Sequence, residues 1–372
     1  MTAMEMNEAI TLAVSGAALM ALAFAVSLAL CAWAERRGVG LLADFPGGAQ
    51  RHRVAVPLVG GVALWLALVA VFAAAALACA AGGPVLPGVV VRYVDGLWSQ
   101  AREMGVILGI ATAMMLAGLV TDAFEPGWTI RLGLQVAAAT ALAAFGPRVT
   151  LFWPLSHPIV SGLVTVLWVV VLVNAFAFLD NMDGLAAGVG LIASLLFAAT
   201  QVQAGGLFAP AALMVVAGGL GGVLVYNRYP ARVFMGYNGS WFVGFLLAAI
   251  TAAGTYYRYG HPGSRNSVFS PLLIMAVPFY ESAVVFLVWW GERDQPFLKN
   301  PRHFSYRLRA GGLTPSESVR LLLLVSLGAG LGSLLLRLLD AFGTAVLLAQ
   351  TACLIGVAAL VESSAIRRKG GP

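Results

Sequence analysis

The chain is a succession of apolar runs separated by short polar breaks, and each run approaches the roughly 20 residues that a helix needs to cross a bilayer core. The runs fall at about 10–33, 55–79, 104–120, 132–147, 159–178, 184–204, 207–226, 240–257, 270–290, 319–336 and 341–361. They predict eleven transmembrane helices, with ten as the alternative because the fourth run is short and the joint from Gln203 to Phe208 is thin. In lipid a segment must satisfy its own backbone hydrogen bonds, and a helix does so within itself. The predicted fold is an all-α polytopic integral membrane bundle in which residues 1–372 form one domain. The first run is too long for a signal peptide and has no cleavage-like end, so it reads as a retained anchor.

Eleven spans divide the connections into two sets, and 16 of the 22 Lys and Arg residues fall on one of them. The excess places that set in the cytoplasm, with the N-terminus outside and the C-terminus cytoplasmic. Composition supports the membrane reading: 60% of residues are hydrophobic and 10% charged, and the mean hydropathy is +0.90. Soluble domains carry about 25% charged residues, so that class is excluded. Cys31, Cys79 and Cys353 are odd in number and sit in or beside apolar runs, which excludes a disulfide scaffold and fixes no redox compartment. The net charge of +6 is dispersed over membrane loops without a long basic run, so no nucleic-acid partner is expected.

The unusual polar residues are not dispersed. Asp44, His52, Asp122, Asn174, Asp180, Asn181, Asp183, Asn227, the Gly236 to Ser240 turn and His303 all belong to the cytoplasmic set, whereas the outer loops hold only Asp95, Glu103, His157, His261 and Asp340. In the segment Asn174 to Gly188 an apolar run ends in Asp180 and Asp183 and restarts as a Gly/Ala-rich helix. If both aspartates open that helix they share one face, beside a helix N-terminus suited to anionic ligands. The plainer alternative is a doubly capped short loop. Further on, Arg228 and Arg232 precede a Gly236-x-x-Gly239-Ser240 turn, a combination of guanidinium and backbone N–H groups that suits phosphate. Close helix packing also selects glycine at such spacings. The loop from Gly291 to Ser318 carries Arg302, His303, Arg307 and Arg309, which serve equally for phosphate binding, topology or anionic lipid.

In this order and on these loops, the segments resemble the polyprenyl-phosphate N-acetylhexosamine-1-phosphate transferase family, closer to its undecaprenyl-phosphate GlcNAc-1-phosphate branch. The likeness runs from Ala34-Glu-Arg-Arg through Asp44-Phe-Pro46, Arg51-His52 and Gly60-Gly61 to Thr121-Asp122, Arg131-Leu132 and Gln135. It continues through Asn174 to Gly188, Asn227, Pro230 to Gly236 and Gly239-Ser240, and ends at Arg302-His303, Arg307-Leu308 and Gly312-Leu313. The resemblance implies transfer of a sugar-1-phosphate from a UDP-amino sugar to undecaprenyl or another polyprenyl phosphate, with release of UMP. It implies Mg²⁺ as cofactor, with Mn²⁺ as a substitute, and a site on the cytoplasmic face of a bacterial inner membrane, and it leaves room for a homodimer. Carried onto this chain, Asp122, Asp180 and Asp183 are the catalytic carboxylates, and Asp122 and Asp183 the metal ligands. The substrate-binding set is His52, Arg131, Asn174, Asn181, Asn227, Arg232, Gly239, Ser240, Arg302, His303 and Arg307.

Four positions depart from the family pattern. Thr121-Asp122 stands for an Asp-Asp pair, Met235-Gly236-Tyr237 for Met-Gly-Asp, Ala177 for a second Asn, and His303-Phe-Ser305-Tyr306 for His-x-His-His. A tyrosine with an ordinary pKa of about 10 is a poor ligand for a hard cation at neutral pH. A catalytically silent relative that still binds polyprenyl phosphate or nucleotide sugar is therefore the alternative to an active transferase. A transporter would want repeated halves or ionisable residues inside spans, and Glu281 is the one strongly intramembrane carboxylate.

Overall fold

The computed structural model describes residues 3–37, 43–44, 56–81, 88–91, 94–149, 157–254, 256, 265–292 and 313–369. The helices are α1 (Ala3–Arg37), α2 (Gly60–Ala81), α3 (Val94–Phe124), α4 (Trp128–Phe145), α5 (Pro158–Leu179) and α6 (Leu185–Gln203). They continue as α7 (Phe208–Asn227), α8 (Gly236–Ala253), α9 (Ser270–Ile274), α10 (Ala276–Glu292), α11 (Pro315–Leu331) and α12 (Ala341–Lys369). Two strands, β1 (Ala43–Asp44) and β2 (Val56–Pro57), pair antiparallel between α1 and α2.

Among the described residues nine single helices are long and apolar enough to cross a membrane, and one bent pair makes a tenth. The chain is a multi-pass membrane protein. Each of the eleven predicted runs overlaps a helix, although nine or ten described helices rather than eleven qualify as spans. The thin joint does separate two of them, since α6 ends at Gln203 and α7 starts at Phe208. The run predicted at 240–257 is the exception in character. As α8 it starts at Gly236, and every residue from Asn238 to Thr251 is buried. It packs against α2, α3 and α5 and also touches α6 and α7, so it is the axis of the bundle rather than a lipid-facing span. The run at 270–290 is broken: α9 with its preceding turn meets α10 at 59°. Pro278, which has no N–H to offer the Ile274 carbonyl one turn back, accounts for the break.

Small residues let the central helices approach. Ser27 of α1 donates to the Gly219 carbonyl of α7 at 2.9 Å, in a seam where a side chain on Gly218 or Gly222 would strike the α1 backbone. At the opening of α8 a Cβ on Gly61 would overlap the Asn238 side chain and the Gly239 backbone, and one on Gly118 would lie 2.5 Å from the Tyr237 carbonyl oxygen. Outward-facing Leu163, Leu167, Leu324, Leu338 and Leu360 are largely exposed, as a lipid-facing surface requires.

The Gly61 contact is with backbone, which cannot swing aside. Gly61→Ala is therefore expected to destabilise the protein by about 3 kcal/mol, the upper end of overpacking costs, as a lowered thermal midpoint in detergent. Gly109→Ala, at a position with open space around it, serves as the unaffected control.

Candidate active site at one end of the bundle

The ends of α1, α3, α5 and α7 and the starts of α2, α4, α6 and α8 meet at one end of the molecule, held by hydrogen bonds between their loops. Phe234 donates its backbone N–H to the Pro57 carbonyl at 2.8 Å, and Gly60 donates to the Phe234 carbonyl at 3.0 Å. Asn227 is buried and works as a two-sided staple. Its Oδ1 accepts from the Gly184 N–H at 3.0 Å and its Nδ2 donates to the Val233 carbonyl at 3.0 Å. Gly184 has φ +82°, a left-handed conformation that favours glycine, and a Cβ there would crowd Leu224.

Asp122, at the end of α3, lies beneath the first turn of α8. Its Oδ1 accepts from the Tyr237 N–H at 2.9 Å, and its Oδ2 accepts from the Asn238 N–H at 3.0 Å and from Asn238 Nδ2 at 2.8 Å. A carboxylate is favoured there because the free N–H groups of a helix start carry partial positive charge. Gly236 adopts φ +66°, and a Cβ on it would come within 2.8 Å of Asp122 Oδ2. The carboxylate read from the sequence as catalytic and metal-binding therefore has both oxygens engaged in capping a buried helix.

Asp180 and Asp183 do not share a helix face as the sequence spacing suggested. Asp180 is the C-cap of α5 and α6 begins only at Leu185, so a turn carries both, with Asn181 between them. The left-handed Gly184 as the α6 N-cap is what breaks the helical register. Asp183 Oδ2 accepts the Ala231 N–H at 3.0 Å, which ties this turn to the α7–α8 loop.

Arg131, in the first turn of α4, is half-buried. Its Nε donates to the Pro126 carbonyl at 2.7 Å and its Nη1 to the Tyr237 hydroxyl at 3.0 Å, with the guanidinium carbon 4.9 Å from the Tyr237 ring centre. Tyr237 stacks edge-on against Trp241 at 5.6 Å between ring centres, and Asp122 and Asp180 are near enough to act on its hydroxyl through their charge. Arg131, Tyr237, Asp122 and Asp180 thus form the charged centre of this end.

Other residues singled out in the sequence are placed elsewhere. Arg232 pairs with Glu35 at the end of α1, N to O 3.2 Å, and lies over the Tyr226 ring at 4.5 Å. Asn174 donates to Gln135 Oε1 at 2.6 Å and to the Val170 carbonyl at 2.8 Å, joining α4 to α5 inside the bundle. That lies about 9 Å along the helix from Asp180 at 1.5 Å per residue. Gly239 packs on Gly61, and the Ser240 hydroxyl donates to the Gly236 carbonyl at 3.0 Å. Thr121 is buried and donates to the Ala117 carbonyl at 2.8 Å, so its hydroxyl is turned away as a metal ligand. His52, Arg302, His303 and Arg307 lie outside the described residues. Sequence reasoning treated Tyr237 only as a lost carboxylate and gave no role to Glu35. Their partners lie 106 and 197 residues away, and no local pattern links them.

A hard divalent cation seeks about six oxygen ligands, several of them carboxylate. Among the described residues no three His, Cys, Asp or Glu side chains converge to hold one, and Asp122 is committed to its helix. The described residues do not by themselves make the Mg²⁺ or Mn²⁺ site expected from Asp122 and Asp183.

Because Asp122 caps a buried helix start, Asp122→Ala is expected to cost about 3 kcal/mol, the range for hydrogen bonds to a charged group. Asp122→Asn keeps one carbonyl acceptor and should cost less than half of that. A thermal shift series in detergent checks the order; equal stability of all three proteins would remove the capping role.

Residues 104–255, which hold α4 to α8 with Asp122 and Tyr237, match the family model described as glycosyl transferase family 4. Over 306 residues the chain is 24% identical to the probable undecaprenyl-phosphate N-acetylglucosaminyl 1-phosphate transferase of Bacillus subtilis, covering 79% of this chain and 77% of the relative. It is 33% identical over 261 residues to the decaprenyl-phosphate N-acetylglucosaminephosphotransferase of Mycobacterium tuberculosis, covering 63% of this chain and only 60% of that relative. The corresponding Mycolicibacterium smegmatis protein is 29% identical over 345 residues, or 85% of this chain and 79% of the relative. With the bundle, the shared end of its loops and these likenesses together, the chain is similar to glycosyl transferase family 4 over residues 104–255 and to the polyprenyl-phosphate N-acetylglucosaminyl-1-phosphate transferases over most of its length.

Proposed function

We propose that the protein transfers N-acetylhexosamine-1-phosphate from a UDP-amino sugar to a polyprenyl phosphate at the cytoplasmic face of a bacterial inner membrane. The observation that carries this reading is the half-buried Arg131 guanidinium fixed at the same end of the bundle as the Asp180 to Asp183 turn. In the reaction an oxygen of the lipid phosphate attacks the sugar-bearing phosphorus of the nucleotide. The bond from that phosphorus to the bridging oxygen breaks, and UMP leaves with the electron pair. Attack of one phosphate on another is chiefly a matter of positioning and neutralising charge. Arg131 supplies a fixed cation and N–H donors for that charge. The turn carrying Asp180, Asn181 and Asp183 lies where α5 and α6 reach the surface, so a headgroup arriving from lipid and a nucleotide arriving from water can meet there. The names of the relatives favour N-acetylglucosamine as the sugar.

A catalytically silent binder is the second reading, and the full engagement of Asp122 favours it. The two differ on turnover. Detergent-purified protein given undecaprenyl phosphate, Mg²⁺ and UDP-N-acetylglucosamine is expected to release UMP. Asp180→Asn and Asp183→Asn should each lower the rate about 100-fold, the usual scale for losing one electrostatic contact in a transition state. Nucleotide binding without UMP release from any UDP-amino sugar, with the Bacillus relative active alongside, would move the silent reading ahead.

Orientation has its own test. Tyr229 is exposed at the site end and His157 at the opposite end of α5. In intact spheroplasts an impermeant maleimide is expected to label His157→Cys and to reach Tyr229→Cys only after lysis. The reverse pattern would place the site outside.

A further inference from the structure

We infer that Tyr237 is a substrate-binding residue whose phenol O–H donates to a phosphate oxygen held at the same time by the Arg131 guanidinium. The inference deepens the proposed function and rests on it for the identity of the ligand. It starts from the direction of one hydrogen bond. Arg131 has only donors, so in the 3.0 Å contact from Nη1 the Tyr237 oxygen accepts. The phenol hydrogen must then point elsewhere, and among the described residues no acceptor takes it. The guanidinium is in the same condition. Of its five N–H donors, one on Nε goes to Pro126 and one on Nη1 to Tyr237, and the rest make no hydrogen bond or ion pair among the described residues.

Two side chains with uncommitted donors, one of them a cation, select an anion. Guanidinium and hydroxyl donors side by side suit the tetrahedral oxygens of a phosphate. Both groups are held before any ligand arrives. The Tyr237 backbone is fixed by its N–H bond to Asp122 at 2.9 Å, and its ring rests on Trp241, which is 1% exposed. Arg131 is fixed by the Pro126 carbonyl in the tight α3–α4 connection. A receptor set in place in this way loses little conformational freedom on binding. Asp122 and Asp180, whose charges reach the Tyr237 hydroxyl, repel an anion there, and the Arg131 guanidinium is the charge that offsets them. Tyr237 therefore has its own use at a position read from sequence only as a missing carboxylate.

The phosphate could come from the nucleotide or from the lipid, and the experiment separates them. Binding to full-length protein in detergent is measured by titration calorimetry with three probes: UMP, uridine, and farnesyl phosphate as a short soluble polyprenyl phosphate. Tyr237→Phe removes only the hydroxyl and keeps the ring on Trp241. It is expected to leave the thermal midpoint unchanged, to leave uridine binding unchanged, and to weaken at least one phosphate probe about tenfold, the value of one hydrogen bond to a charged group. Loss confined to UMP assigns the oxygen to the nucleotide, and loss confined to farnesyl phosphate assigns it to the lipid. In an Arg131→Gln background the same Tyr237→Phe change should cost less than threefold, since donors sharing one oxygen are coupled. Unchanged affinity for both phosphate probes, or full additivity with Arg131→Gln, overturns the inference. Because binding is read without turnover, failure to release UMP would count against the proposed transfer and leave this result standing.

Discussion

A helix start cannot be left bare inside a low-dielectric bundle, and α8 starts inside this one. Its first N–H groups have no carbonyls of their own helix to bond, and water does not reach the residues from Asn238 onward, which are buried. Asp122 reaches across from α3 and takes two of those N–H groups and the Asn238 side chain as well. To admit it, α8 must open on a glycine in a left-handed conformation, and α3 and α2 must present Gly118 and Gly61 where their backbones pass. One requirement, the satisfaction of a buried helix end, thus fixes the relative placement of three helices and the backbone of Tyr237.

The rest of the site end follows from similar staples. Asn227 joins the α5–α6 turn to the α7–α8 loop through backbone groups on both sides, and Asp183 adds a bond between the same two segments. The Arg232 pair with Glu35 fastens α1 at the rim, where solvent screens the charges and the contribution is small. Many of the described polar side chains at this end are consumed in holding loops together. Arg131 stands out because it is half-buried, held in place, and still has donors to offer.

This division bears on Thr121 and Tyr237, two positions that depart from the family pattern expected from the sequence. Thr121 is turned into the bundle toward the Ala117 carbonyl, so an aspartate substituted there would begin in a buried position, at the cost of desolvating a charge. At position 237 the phenol sits beside the Arg131 guanidinium and within reach of the charges of Asp122 and Asp180.

The apolar runs by themselves determined the helical fold and its membrane setting, because a lipid-embedded backbone has almost no alternative to a helix. Helix ends that continue into polar sequence, as at the start of α3 and the end of α12, lie eight to ten residues beyond the runs. The clustering of Asp122, Arg131, Asp180, Asp183 and Asn227 on one set of loops was equally legible, since alternating spans sort loops by side. Roles were not. Whether Asp122 faces a ligand or caps a helix depends on where α8 begins, 114 residues later in the sequence numbering. That Asp180 and Asp183 lie on a turn, that Asn174 pairs with Gln135, and that Tyr237 receives Arg131 were decided only when the helices packed. Hydrogen bonds act over about 3 Å, and the residues that make these ones are brought to that distance by tertiary packing alone.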